Sequence, residues 1–261
     1  MQLFHRDLGG AGKPPLVILH GFLGSSRNWQ TAGRDLAENF HVLALDLRNH
    51  GSSPHEAETG YAAMVADVLA WLDGQGLARA TLLGHSMGGK VAMLLACRHP
   101  QWVEELVVVD IAPKDYHWKE RPSELAALNE LDLSRLTSRA EAERLIEPRV
   151  ADWAMRKFYL TNLERTSDDR WKWQINLPVL TAAAAELEKN PLAPGDRFDG
   201  PALFVLGGKS RYVQPGDEAV IHRHFPSAKI TTLPESGHNP HMEARGNFVA
   251  ALQDWFSRLT S

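Results

Sequence analysis

The 261-residue chain contains a single cysteine, Cys97. No disulfide can close within it, and zinc or iron–sulfur sites built from several thiolates are excluded. Charge of one sign is also scarce. Lys plus Arg number 28 and Asp plus Glu 32, a net charge of -4 with neutral His. Such a balance exerts no long-range pull toward nucleic acid or an anionic membrane. Long apolar runs are missing: stretches such as 16–19 and 91–97 fall far short of the roughly 18 residues that a bilayer span requires. The opening MQLFHRDLGGAGK holds no apolar stretch of the secretory kind, so a cytoplasmic protein without membrane insertion is expected. What the chain does have is apolar substance. Hydrophobic residues make up 44%, ample for a globular core.

That substance is arranged in alternation. Short apolar runs at 16–19, 42–45, 80–83, 106–109, 202–206 and 229–233 read as buried strands. Helical spacing of apolar residues covers 61–75, 90–99, 215–224 and 240–257. Strands alternating with helices imply right-handed crossovers and a mostly parallel central sheet with helices on both faces. Near-continuous apolar strands fit a sheet covered on both sides. Residues 114–195 break the pattern and read as helical throughout. Ser138 and Glu141 have capping-box spacing, and Val150, Trp153, Ala154 and Phe158 form one apolar face. The expected organisation is a core of 1–113 and 196–261 with a helical cap, 114–195, inserted between two strands.

The sharpest chemical signal is Gly84-His85-Ser86-Met87-Gly88, between a strand and a helix. A nucleophile on so tight a turn sits in strained backbone, and glycines two residues before and after let strand and helix pass closely. The bland alternative is a glycine-rich turn with an incidental serine. The strand–turn–helix context favours Ser86 as a nucleophile. Acyl transfer also needs two donors for a tetrahedral oxyanion. The N–H of Met87, next after Ser86, is one; the other is expected from His20-Gly21-Phe22-Leu23-Gly24-Ser25, at Phe22. His238, in Ser236-Gly237-His238-Asn239-Pro240 after the last strand, is the expected base. His241 and Glu243 nearby have no partner set for a metal, and neither metal nor cofactor is called for.

In this order the three motifs resemble the α/β-hydrolase superfamily over the whole chain apart from the cap. Finer matches narrow the resemblance: Asp46–Ser53 (DLRNHGSS), Gly84–Lys90 (GHSMGGK), Asp110–Pro113 (DIAP) and Asn176–Leu180 (NLPVL). Together they look like the YbfF-type bacterial esterases and their mitochondrial relatives, the abhydrolase-domain-11 group. The resemblance implies the α/β-hydrolase fold, a helical cap, and a serine hydrolase acting on small ester or thioester substrates. Asp46, read from its surroundings alone, fixes a loop.

A triad needs a carboxylate, and here the chain departs from the commonest superfamily pattern. Within Gly207–Val213 the expected acid is replaced by Ser210. The other location the resemblance implies is the end of the strand after the nucleophile, where Asp110 stands. Asp217 is the next candidate but falls where a helix starts and reads as its cap. Same-fold chemistries remain open: C–C bond hydrolysis, or a perhydrolase or haloperoxidase-like reaction. So does a non-catalytic binder. Dehalogenases and epoxide hydrolases need Asp in place of Ser86. Leu23, Trp171 and Trp173 are candidates for lining an apolar acyl site, the two tryptophans by alternation on one side of an extended segment.

Overall fold

The computed structural model describes residues 1–259, so the last two residues of the expected 196–261 core stretch lie outside the described residues. Nine strands are placed among these residues: β1 (His5–Asp7), β2 (Pro15–Leu19), β3 (His41–Leu45), β4 (Ala80–His85), β5 (Val103–Val109), β6 (Leu163–Arg165), β7 (Trp171–Trp173), β8 (Ala202–Gly207) and β9 (Ala228–Leu233). The helices are α1 (Gln30–Leu36), α2 (Tyr61–Gly74), α3 (Met87–Arg98), α4 (Arg121–Asn129), α5 (Arg139–Ile146), α6 (Trp153–Leu160), α7 (Leu177–Glu188), α8 (Glu218–His224), α9 (Pro240–Glu243) and α10 (Arg245–Leu259).

Seven strands form one sheet in the order β1-β3-β2-β4-β5-β8-β9, parallel except for β1. The apolar strand runs serve two faces at once, because successive side chains point oppositely. Val17 and Leu19 pack with Val65, Val68 and Val91 of α2 and α3. Leu16 and Ile18 pack on the other side with Trp29, Phe248 and Leu252. The short edge strand β1 has no apolar run to betray it; it is placed by antiparallel pairing with β3.

Residues between β5 and β8 carry α4 to α7 and form a separate apolar cluster that includes Leu128, Ile146, Leu160 and Leu180. Three expectations for this segment need correction. It is not helical throughout, because β6 and β7 pair as a hairpin. Trp153 is not packed against neighbouring helices. It is 62% exposed, with Lys157 Nζ 5.5 Å from the centre of its ring; the buried face of α6 is made by Arg156, Tyr159 and Leu160. The capping box at α5 is half-formed: Ser138 Oγ accepts the Glu141 N–H at 3.1 Å, while the Glu141 carboxylate takes the Thr137 N–H instead. In the core, the helix expected over 240–257 is two helices, broken at Ala244.

The two glycines of the sharp turn are sterically required. A Cβ on Gly84 would lie 2.3 Å from the Gly88 carbonyl oxygen, and one on Gly88 would lie 2.3 Å from that of Leu19. Asp46 is buried and accepts the N–H groups of Ser26 and Ser52 at 2.6 and 2.8 Å, tying together the loops after β2 and β3.

Candidate active site

The parallel strands end on a common edge, and the candidate residues stand there. Ser86 follows β4 at φ 51° and ψ -115° and stands at the N-cap position of α3, its side chain making no capping bond. Asp110 follows β5, also with positive φ, 48°. Phe22 follows β2 and His238 follows β9. Non-glycine residues in such backbone carry strain that persists only where the surroundings over-determine it, commonly at functional sites. The edge is also where parallel sheets present a crevice.

Asp110 is fully buried. Its Oδ2 accepts from His238 Nδ1 at 2.8 Å and from Ser210 Oγ. Its Oδ1 accepts the Gly207 N–H at 2.8 Å. A carboxylate with these donors holds the Nδ1–H tautomer of the neutral imidazole, which leaves Nε2 with its lone pair. Ser210, standing where an acid was looked for, is a second donor to Asp110. Asp217 makes no bond to His238: it accepts from Lys114 and from the Gln214 N–H, and it occupies the N-cap position of α8 as expected, though without a side-chain bond to that helix.

Burial lowers the His238 pKa from its ordinary value, with Asp110 opposing the shift. His85 and His241 lie close by, His85 with its ring 4.7 Å from that of His238 and 5.0 Å from that of His241. Burial pushes both down, His241 to about 3, so they are neutral neighbours. His85 Nε2–H donates to the His238 carbonyl oxygen at 2.8 Å and steadies its loop.

Two chambers adjoin Ser86. One, about 30 Å³, is lined by Phe22, Tyr61, Met87, Ile111 and Tyr116 among others. The second, about 50 Å³, is lined by His238, Asn239, Met155, Phe158 and Tyr159. Beyond the second lies a groove of about 460 Å³ that also reaches His238. A larger cavity, about 790 Å³, lies between α5, α6 and α10 and does not touch Ser86. Met87 opens α3, so its N–H has no intrahelical acceptor. In the loop after β2 the N–H groups of Leu23 and Gly24 go to His50 Nε2 and Gly21 O, leaving that of Phe22 without a protein acceptor among the described residues.

Leu23, Trp171 and Trp173 are not brought to this place. Leu23 is fully buried in the apolar cluster of the inserted segment. The two tryptophans do share a side of β7, but that side packs on the same cluster. Neither chamber includes any of the three. Conversely, Tyr212, Arg121 and Glu188 line the chambers without having been singled out, and Lys90 lies behind them. Tyr212 stacks on His238, and Lys90 Nζ donates to the carbonyls of Glu188 and Lys189 at 2.7 and 2.6 Å. For Lys90 the available signal was a lysine one turn after Ser86, in a helix whose other charged residue, Arg98, stands at its far end.

A parallel sheet with a strained serine at the end of one strand, and a His–Asp pair at the ends of two others, defines the class of the α/β hydrolases. The family model described as the alpha/beta hydrolase fold matches residues 14–245, and the chain belongs to that family. The sn-1-specific diacylglycerol lipase ABHD11 of Mus musculus is 37% identical over 95% of this chain and 83% of its own. Esterase YbfF of Escherichia coli (strain K12) is 32% identical over 93% of both chains. A solved marine microorganism esterase superposes with a TM-score of 0.94 at 33% identity, covering 98% of this chain and 99% of its own. Within the family the chain falls in the YbfF/ABHD11-like group, and it is a carboxylesterase-type, ester-hydrolysing enzyme.

Proposed function

We propose that this enzyme hydrolyses small carboxylic esters or thioesters through an acyl-enzyme on Ser86, with His238 as base and acid and Asp110 as its orienting carboxylate. The observation that carries the reading is the 2.8 Å bond from His238 Nδ1 to buried Asp110, on a chamber that Ser86 also lines. Ser86 Oγ attacks the acyl carbon and passes its proton to His238 Nε2. The N–H groups of Phe22 and Met87 receive the tetrahedral oxyanion. The bond to the leaving oxygen or sulfur then breaks, and the proton on His238 goes to that atom. Water, deprotonated by His238 in turn, attacks the acyl-enzyme and frees Ser86 and the acid. The strained elbow, the helix start at Met87 and the uncommitted Phe22 N–H support these roles. No step calls on a metal or cofactor.

The leaving group must meet His238, so it occupies the 50 Å³ chamber and extends into the groove of about 460 Å³. The acyl group is left the 30 Å³ chamber behind Phe22 and Met87, which suits short chains. The segment 114–195 acts as a cap, since its residues Trp118, Arg121 and Glu188 line that chamber. A fluorophosphonate probe should label the native enzyme and not Ser86→Ala. p-Nitrophenyl esters and matched thioesters of graded chain length should show turnover falling beyond the shortest acyl groups. An unlabelled native enzyme would overturn the acyl-enzyme reading; undiminished turnover of long chains would overturn the acyl placement.

A further inference from the structure

Arg121 and Glu188 form an ion pair at the neck of the inserted segment. Arg121 opens α4, near where the chain leaves the core, and Glu188 closes α7, near where it returns. Arg121 Nη1 lies 3.1 Å from Glu188 Oε1. Through Nη2 the same guanidinium donates to the Tyr212 hydroxyl at 3.3 Å. The Tyr212 ring lies flat on the His238 imidazole, with centroids 3.4 Å apart and planes within 8°.

Each member of this chain is held from another side. The Tyr212 N–H donates to Ser210 Oγ at 3.1 Å, and its carbonyl accepts the Tyr116 hydroxyl at 3.0 Å. Arg121 also lies over the Phe22 ring, 5.4 Å from its centre. The Glu188 carboxylate accepts the Trp118 N–H, and its main-chain carbonyl accepts Lys90 Nζ. The linkage thus runs from α3, the helix that follows Ser86, through the neck of the segment, to the imidazole.

We propose that Arg121 and Glu188 are positioning residues for His238: their ion pair holds Tyr212 against the imidazole, so that the seating of the inserted segment governs the base. Two physical effects follow. The stack removes ring orientations that would carry Nε2 away from Ser86, and misplacement by about 1 Å can cost on the order of 100-fold in rate. The pair also sets the local field. The groups facing His238 are Asp110 from the end of β5, Arg121 from α4, Glu243 from α9, neutral His85 and His241, and Tyr212, whose hydroxyl burial keeps protonated. Arg121 is the cation among them, and it acts to lower the His238 pKa. Glu188 offsets that cation.

The proposal rests on the reading of His238 as the base, so its first test uses no catalysis. In the Ser86→Ala protein the His238 imidazole is titrated by ¹⁵N NMR. Arg121→Gln should move the midpoint up and Glu188→Gln should move it down, each by about half a unit or more, because each leaves the other charge uncompensated. If Arg121→Gln fails to fold, Glu188→Gln alone reads the sign. With Ser86 intact, Arg121→Lys keeps the charge but loses the planar fork, and kcat on a neutral ester should fall about tenfold. Unmoved midpoints, shifts of the same sign, or an unchanged kcat in Arg121→Lys would overturn the proposal. An active His238→Ala would instead overturn the base itself, while the titration still decided whether the neck controls the ring.

Discussion

Asp110 and His238, 128 residues apart in sequence, meet through a 2.8 Å hydrogen bond at the common edge of the sheet. The bond joins the ends of two strands with only β8 between them in the sheet. Because Asp110 has no exposed surface, its charge acts on the imidazole with little screening by water.

Asp110→Asn should therefore lower turnover by about 10⁴-fold, the loss that follows when an orienting carboxylate becomes an amide. Ser210→Ala removes one neutral donor and should cost under about tenfold. Both variants are measured on one neutral ester at one pH. If Ser210→Ala were the more damaging, the charge would not be what orients His238.

Ser86→Ala should abolish hydrolysis, by on the order of 10³-fold or more. Ser86→Gly should be equally inactive but more stable than Ser86→Ala. At φ 51° and ψ -115° a side chain carries strain of about 1–3 kcal/mol, which outweighs the roughly 0.5–1 kcal/mol entropic disadvantage of glycine. Thermal denaturation of the two proteins decides this; a higher Tm for the alanine variant would count against strain at the elbow.

The pH profile of kcat/KM should have an acidic limb with its midpoint below about 6.5, the ordinary histidine value. Burial favours the neutral imidazole of His238, and only the neutral form accepts the Ser86 proton. Activity is thus retained at and above neutral pH and lost as pH falls through the lowered pKa. A midpoint above the ordinary value would mean that Asp110 outweighs burial.

Lys90 gives stability a slope of its own. Burial pushes its pKa down to about 7, whereas an unfolded lysine titrates near about 10.4. Between these values the unfolded chain binds more protons, so this group adds stability as pH rises through that window. Denaturant unfolding of wild type and Lys90→Met should show their difference moving in favour of wild type between pH ~7 and pH ~9.5. A constant difference would show that Lys90 does not change its charge on unfolding there.

The sheet and the elbow were legible because their causes are local. Continuous apolar runs specify strands covered on both faces, and glycine at 84 is dictated by a backbone contact within the turn, although the contact that requires glycine at 88 is with the neighbouring strand β2. The juxtaposition of Asp110 with His238 follows from strand ends on one edge. The neck was not legible: Arg121 meets Glu188 across 67 residues and Tyr212 across 91, and no spacing rule connects them. Trp171 and Trp173 illustrate the opposite limit. Alternation says that two rings share a side, but not which side faces a cavity and which faces an apolar cluster of the segment's own.

Strands β5 and β8 pair directly, Leu106 with Ala202 and Val109 with Val205, although the whole inserted segment lies between them. To the sheet, that segment is only a long loop. Closing a loop twice as long costs only about 0.6 kcal/mol more, so its length and design are nearly free to vary while the strand register stays fixed. The strand register behind Ser86, Asp110 and His238 is thereby decoupled from the length of the segment, while the segment's neck stays linked to His238 through Arg121 and Tyr212. Exchanging the part of the segment between Arg121 and Glu188 would alter the chambers without changing the strand register at that edge.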